Sequence, residues 1–179
     1  MLGHVPPSSV IRPATTADAG AIGAIYDQAI ASGVATFAAG PHDAAERTAW
    51  LQGRGERAPV WVLDDGGTVV GWSALAPFSH RPWYDGVAEY TVYIADDARG
   101  RGVGGQMLDA LIHEAPPLGY WKLVGMILQG NDGGRALARS RGFREVGTHL
   151  AHGRVGDQWR DVTVMELHLD PPAAGGDHA

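Results

Sequence analysis

One stretch, between positions 88 and 114, constrains the fold of this chain more than any other. Ala88-Glu-Tyr-Thr-Val-Tyr-Ile94 has the β-branched and aromatic content of a strand. A polar turn follows, then the glycine-rich loop Gly100-Arg-Gly-Val-Gly-Gly105, then apolar residues at helical spacing from Val103 to Glu114. Strand, glycine loop and helix in direct succession make a cradle for an anion. The glycines let backbone N–H groups approach a ligand with no Cβ in the way. The unpaired amides and positive dipole end of the helix favour a phosphate. Arg99 and Arg101 flank the loop and add charge-assisted donors. The stretch therefore reads as a pyrophosphate site.

Spacing separates the candidate pyrophosphates. A P-loop ends in Gly-Lys-Ser/Thr, and no Lys stands here. G-x-G-x-x-G matches as Gly100–Gly105. However, Gly119-Tyr-Trp121 occupies the place, about 20 residues on, where a dinucleotide fold needs an acidic group for the ribose. A third pattern, Arg/Gln-x-x-Gly-x-Gly/Ala after a strand, reads Arg99-Gly-Arg-Gly102-Val-Gly104. In it the chain resembles the coenzyme A loop of the GCN5-related N-acetyltransferase superfamily.

The chain has 179 residues and no cysteine, which excludes disulfides, thiolate metal ligands and an acyl-cysteine intermediate. Its length fits one domain with a core of its own. A net charge of −6 argues against a nucleic-acid binder. A polyanion would have to be held by a local positive site. No apolar run reaches membrane-spanning length, and the N-terminal segment lacks the basic and apolar stretches of a signal peptide. A cytoplasmic location and no membrane partner are expected. Residues 1–9 and 170–179 read as loose tails around one domain over 10–169.

Within that domain Val10–Arg12 reads as a strand. Thr15 and Asp18 signal a helix that Gly33 ends, and a second helix opens at Pro41 and Asp43 and closes near Gly53. Val60–Leu63 and Thr68–Leu75 form a hairpin across Asp64-Asp-Gly-Gly67. An aromatic-rich loop, 76–86, leads to the strand at 88–94. Trp121–Leu128 reads as a central strand buried on both faces. Asn131 can cap a helix ending at Arg141. Phe143–Leu150 and Asp161–Leu169 are two last strands joined around Gly153–Gly156. The order β-α-α-β-β-β-α-β-α-β-β gives an α/β fold with a mixed sheet, which is also the order of the superfamily. Trp50, Trp61, Trp72 and Trp121 are expected in the core.

The resemblance is closer still to the phosphinothricin and methionine sulfoximine N-acetyltransferase-like group, and it spans about residues 10–169. An ordered set of local patterns carries it: Ile11-Arg-Pro-Ala-Thr15, Thr36-Phe37, Glu46-Arg47, Arg81-x-x-Tyr84, Glu89-x-Thr-Val-Tyr93, Asn131-Asp132, Arg141-Gly-Phe143 and Trp159-x-Asp161. It implies an acetyl-CoA-dependent enzyme acting on a free amino acid or analogue by direct transfer, without a metal, as a homodimer. Glu89 takes the place of the catalytic glutamate. Val92, Tyr93 and Ile94 would pair with the pantetheine arm, and Val92 or its neighbour would offer an oxyanion donor. Arg99, Gly100, Arg101, Gly102, Val103, Gly104 and Gly105 would hold the pyrophosphate, with Asn131 touching the cofactor. Arg81 and Tyr84 would anchor the substrate, Phe37 would pack on it, and Thr91 would share the wall of Glu89.

The chain departs from the group at Ala138, where phosphinothricin enzymes carry a histidine, and at Gly134 and Arg141. A histidine acid–base role is therefore not carried over, which leaves thiolate protonation to solvent, Tyr93 or another group. His149-x-x-His152 lacks a third ligand at metal spacing and reads as surface. Two other readings stand beside the first. One is an acetyltransferase for a polyamine or aminoglycoside, which an acidic pocket would favour. The other is a non-catalytic acyl-CoA-binding regulator.

Overall fold

The computed structural model describes residues 9–169. Seven strands form one mixed sheet: β1 (Ser9–Pro13), β2 (Val60–Asp65), β3 (Thr68–Pro77), β4 (Val87–Ile94), β5 (Lys122–Leu128), β6 (Arg144–Val155) and β7 (Gln158–His168). Four α-helices accompany them: α1 (Ala19–Ala31), α2 (Ala44–Gln52), α3 (Val103–Glu114) and α4 (Asp132–Ser140). The spatial order is β1-β2-β3-β4-β5-β7-β6. The element order and the mixed α/β plan are those expected. The tails expected at 1–9 and 170–179 lie outside the described residues, except for Ser9, with which β1 opens.

The helices divide between the two faces of the sheet. Trp72 of β3 stands opposite Tyr93 of β4, and the ring of Tyr26 from α1 packs on both, at 5.9 and 5.1 Å between centroids. The neighbouring pair, Gly71 and Ile94, points the other way and meets Val103 of α3. Ile22 and Ile25 from α1 and Met107, Leu108 and Leu111 from α3 are buried against the sheet. Burying a large aliphatic side chain of this kind is worth about 1.5–3 kcal/mol.

The parallel pair β4–β5 is short. Its register runs from Val87↔Lys122 to Glu89↔Val124, and there the pairing ends although both strands continue. Past that point the Tyr90 ring lies over Gly125, where an added Cβ would come within 2.6 Å of the phenol oxygen. The ring also packs against Phe143 at 5.0 Å.

Three details differ from expectation. Trp121 is 39% exposed rather than in the core. It precedes β5, and its ring covers Gly86. The last hairpin turns at Gly156-Asp157, not around Gly153, because β6 runs on to Val155 and β7 starts at Gln158. Gly153 is a paired strand residue lying under the Phe37 ring. The register of β6 slips between His149 and Gly153, where Ala151 has φ 48°.

Candidate active site

The unpaired edge of β4 is the starting point. Ala95 N–H donates to Val70 of β3, and the Val87 carbonyl accepts from Phe78, so odd-numbered residues of β4 face β3. In an extended strand a residue's N–H and C=O point to the same side, alternating along the chain. Tyr90, Val92 and Ile94 therefore turn their backbone groups toward the gap left by β5.

A cleft of about 390 Å³ opens on that gap. β4 contributes Val92, Tyr93 and Ile94, the loop and α3 contribute Arg99, Gly100, Gly102, Gly104 and Gly105, and α4 contributes Asn131. Gly100 and Gly102 have φ of 74° and 84°, a left-handed conformation that aligns the loop with the N-terminus of α3. A Cβ on Gly100 would meet nothing within 4 Å, so the floor there is open. The residues thus fit a pyrophosphate followed by an extended amide-bearing arm. Phosphates would lie on the amides of the loop and of α3, and the arm along the free edge of β4.

The flanking cations behave differently from each other. Arg99 lines the cleft and is half-exposed in an ion pair with Asp96 at 2.8 Å. Arg101 instead pairs with Asp65 at 3.0 Å and does not line the cleft. The Val103 side chain is buried in the core, which leaves only its backbone for a ligand. Asn131 caps α4, its Oδ1 accepting from the Gly134 N–H at 2.9 Å. Asn131 also lines the cleft, so capping and ligand contact are compatible. Ala138, the position of the absent histidine, is fully buried.

A second cavity, about 300 Å³, lies on the α1–α2 face of the sheet. Glu89, Thr91 and Tyr93 line it together, as strand alternation requires. Tyr93 lines the cleft as well, so the two chambers meet at that residue. Burial raises the Glu89 carboxyl above the ordinary glutamate range. Burial also lifts the Tyr93 phenol, which stays protonated at neutral pH.

The remaining walls are side chains that sequence reasoning did not place in the site: Tyr26 from α1, Arg47 and Trp50 from α2, Arg54 just beyond it, and Trp72 from β3. Arg54 is held by the carbonyls of Ala58 and Leu75 and stacks on Trp50 at 4.6 Å. A signal was present, since positions 47, 50 and 54 follow the i, i+3, i+7 spacing of one helix face.

Three expected substrate residues stand apart from both cavities. Phe37 lies against Gly153. Arg81 and Tyr84 belong to the loop between β3 and β4, where Tyr84 is 40% exposed and meets Phe78 and Trp83 edge to face. The strand ends that carry that loop include Ala76 and Glu89, a paired couple that both line the second cavity. The rings of His149 and His152 stack at 4.6 Å, and no cluster of three metal-ligating side chains occurs among the described residues. No helix among them is long and apolar enough to cross a membrane.

Comparison with known proteins agrees with this geometry. The chain is 36% identical over 166 residues to an L-methionine sulfoximine/L-methionine sulfone acetyltransferase of Pseudomonas paraeruginosa, covering 92% of this chain and 96% of that protein. An N-acetyltransferase from Staphylococcus aureus superposes with a TM-score of 0.85 at 33% identity, over 89% of this chain and 98% of that one. A phosphinothricin acetyltransferase from Sinorhizobium meliloti, solved in complex with AcCoA, superposes with a TM-score of 0.81 at 28% identity, over 93% of this chain and 95% of that one. Residues 24–143, which include α2, the glycine loop and α4, match the Acetyltransferase (GNAT) family model. The chain belongs to the GNAT acetyltransferase family.

Proposed function

We propose that this enzyme acetylates the amino group of a small amino-acid-like acceptor of the methionine sulfoximine, methionine sulfone or phosphinothricin type, with acetyl-CoA as donor. One observation carries the reading. A single strand, β4, lays a free backbone edge along the glycine-loop cleft and points Glu89, Thr91 and Tyr93 into an adjoining cavity. Acetyl-CoA supplies an acetyl group activated as a thioester.

The residues of the chain do the rest. The loop amides and Arg99 hold the pyrophosphate, and Asn131 adds a contact from α4. The Val92 N–H, turned into the gap, donates toward the carbonyl oxygen that gains charge. Glu89 Oε takes the proton of the acceptor's ammonium, directly or through a water, so that a neutral amine attacks. Its nitrogen bonds the acetyl carbon, the C–S bond breaks, and the CoA thiolate leaves while the nitrogen's surplus proton passes to it through solvent or Tyr93. Its raised pKa brings the carboxyl closer to the operating pH and strengthens it as a base. Tyr93 keeps its proton and donates a hydrogen bond where the chambers meet. Arg81, Tyr84 and Phe37 stand outside both cavities, and the acceptor is assigned no contact with them.

Holding donor and acceptor on two sides of one strand supplies proximity without a covalent enzyme intermediate, consistent with a chain free of cysteine. Two arginines and one carboxylate line the acceptor cavity, which suits an acceptor carrying an anion better than a polyamine or an aminoglycoside. The deciding experiment is thiol release from acetyl-CoA with methionine sulfoximine, methionine sulfone, phosphinothricin, spermidine and kanamycin. Turnover confined to the first three is expected. Turnover with spermidine or kanamycin alone, or tight acetyl-CoA binding with no turnover at all, would overturn the reading.

A further inference from the structure

Arg47 is a partly buried cation with no counter-ion. Its methylene stem crosses Gly23 of α1, where an added Cβ would come within 3.3 Å of Arg47 Cγ. The guanidinium carbon lies 5.1 Å from the Tyr26 ring centroid and 5.2 Å from that of Trp50. Nε is buried and has no hydrogen-bond partner, and the guanidinium forms no ion pair or hydrogen bond with any described residue. Its neighbour Arg54 differs, donating to two backbone carbonyls. The cavity wall therefore carries a guanidinium with no acceptor of its own, free to pair with an incoming anion.

The chemistry of that ligand follows from the cavity. A guanidinium presents a planar fork that fits a carboxylate in a bidentate manner. The two rings limit the directions from which the fork can be approached. Glu89 lines the same cavity without pairing with Arg47, so one wall offers an anion and another a cation. An α-amino acid carries the complementary pair, an amino nitrogen and a carboxylate on one carbon. Given the acceptor class proposed above, we propose that Arg47 binds the acceptor's α-carboxylate and is the residue that restricts the enzyme to amino acids. A simple amine would leave the fork unpaired, and sites built to bond a group discriminate strongly against analogues lacking it.

The test uses L-methionine sulfone, its carboxamide and its decarboxylated amine, with the wild-type enzyme, Arg47→Gln and Arg47→Lys. The wild type should prefer the acid over either analogue by about 100-fold in kcat/KM. In R47Q that ratio should collapse to within about threefold of unity through a rise in KM for the acid, and R47K should recover part of it as a point charge. Acetyl-CoA affinity, read by calorimetry, should be unchanged in both variants and shows that they are folded.

A ratio that survives in R47Q, or a fall in kcat alone, would overturn the assignment. Quenching of tryptophan fluorescence by methionine sulfone in the presence of CoA gives a readout independent of turnover. Binding that R47Q abolishes, in an enzyme that transfers nothing, would uphold Arg47 and overturn the catalytic reading. Turnover of the acid with no preference over its amine would do the reverse. Absence of both binding and turnover would overturn both.

Discussion

Glu89 combines two conditions that a base acting on an amine needs. It stands on a paired strand, opposite Ala76 in β3 and Val124 in β5, so its backbone cannot drift. Its carboxyl is drawn from water far enough to raise its proton affinity. Glu89→Gln keeps the shape and removes the carboxylate proposed as the base. The rate near neutral pH should fall about 100-fold, within the range for a lost general base. The loss should shrink as the medium approaches the amine's own pKa, where solvent already supplies neutral amine. Stopped-time thiol assays across pH read this directly, and an unchanged profile would remove Glu89 from the chemistry. That Glu89, Thr91 and Tyr93 share a wall was legible beforehand, because strand alternation is a period of two and tolerates no ambiguity once the strand is found. Arg47 and Trp50 were not, because their spacing shows that they share a helix face but not that α2 turns this face toward β3 and β4. That orientation depends on packing, with Gly23 admitting the Arg47 stem.

The divergence of β4 from β5 makes a site out of a sheet. Neighbouring strands normally satisfy each other's backbone groups along their length. Here three register pairs suffice, and beyond them the backbone of Tyr90, Val92 and Ile94 is unpaired by β5. Tyr90 and Gly125 occupy the opening of the gap, ring over bare backbone, with Phe143 behind the ring. Gly125→Ala places a methyl within 2.6 Å of Tyr90 Oη, and the ring has little room to retreat because Tyr90 is 8% exposed. The substitution should cost about 1–3 kcal/mol, as overpacking does. It should also weaken acetyl-CoA binding by moving β4. A second change, Tyr90→Leu, should restore part of both losses when combined with G125A. Thermal melts and calorimetry of the single and double variants check the coupling. The existence of β4, β5, α3 and the loop was readable from apolar pattern and glycine placement. Where the strands part was not, since a parallel pair separates by tertiary contact. The same holds for β6, whose register slips between His149 and Gly153 and whose pairing with β7 resumes at Gly153, under the Phe37 ring.

At the scale of the whole molecule, carboxylates of opposite character sit at the periphery and at the centre. Asp18 joins β1, the start of α1 and, through Arg12, β2. It accepts two hydrogen bonds from Arg12 at 2.8 Å and the backbone N–H of Thr15 at 2.7 Å, while Arg12 also reaches Asp64 at 3.1 Å. The Arg12 guanidinium chiefly holds the Asp18 carboxyl down to about 2, from 3.8. A depressed carboxyl stabilises the fold above its unfolded pKa, and that contribution drains away as pH falls through the folded value. For Asp18 the window runs from about pH 4 down to pH 2, and the contribution is on the order of 2 kcal/mol. Glu166, lowered mainly by Lys122, acts in the same direction. Glu89 has the opposite sign. Its carboxyl is raised, so the folded state is penalised once it ionises, and the penalty vanishes below the ordinary glutamate range. Asp18→Asn should therefore lower Tm by several degrees at pH 7, and the gap to wild type should close toward pH 2. Glu89→Gln should raise Tm at pH 7, with the gap closing by about pH 4, because ionising a carboxyl that burial has raised costs the folded state stability. Melting curves of the three proteins from pH 2 to 8 separate the two signs. A Glu89→Gln enzyme less stable than wild type at neutral pH would show that the carboxylate is held by contacts and not merely buried.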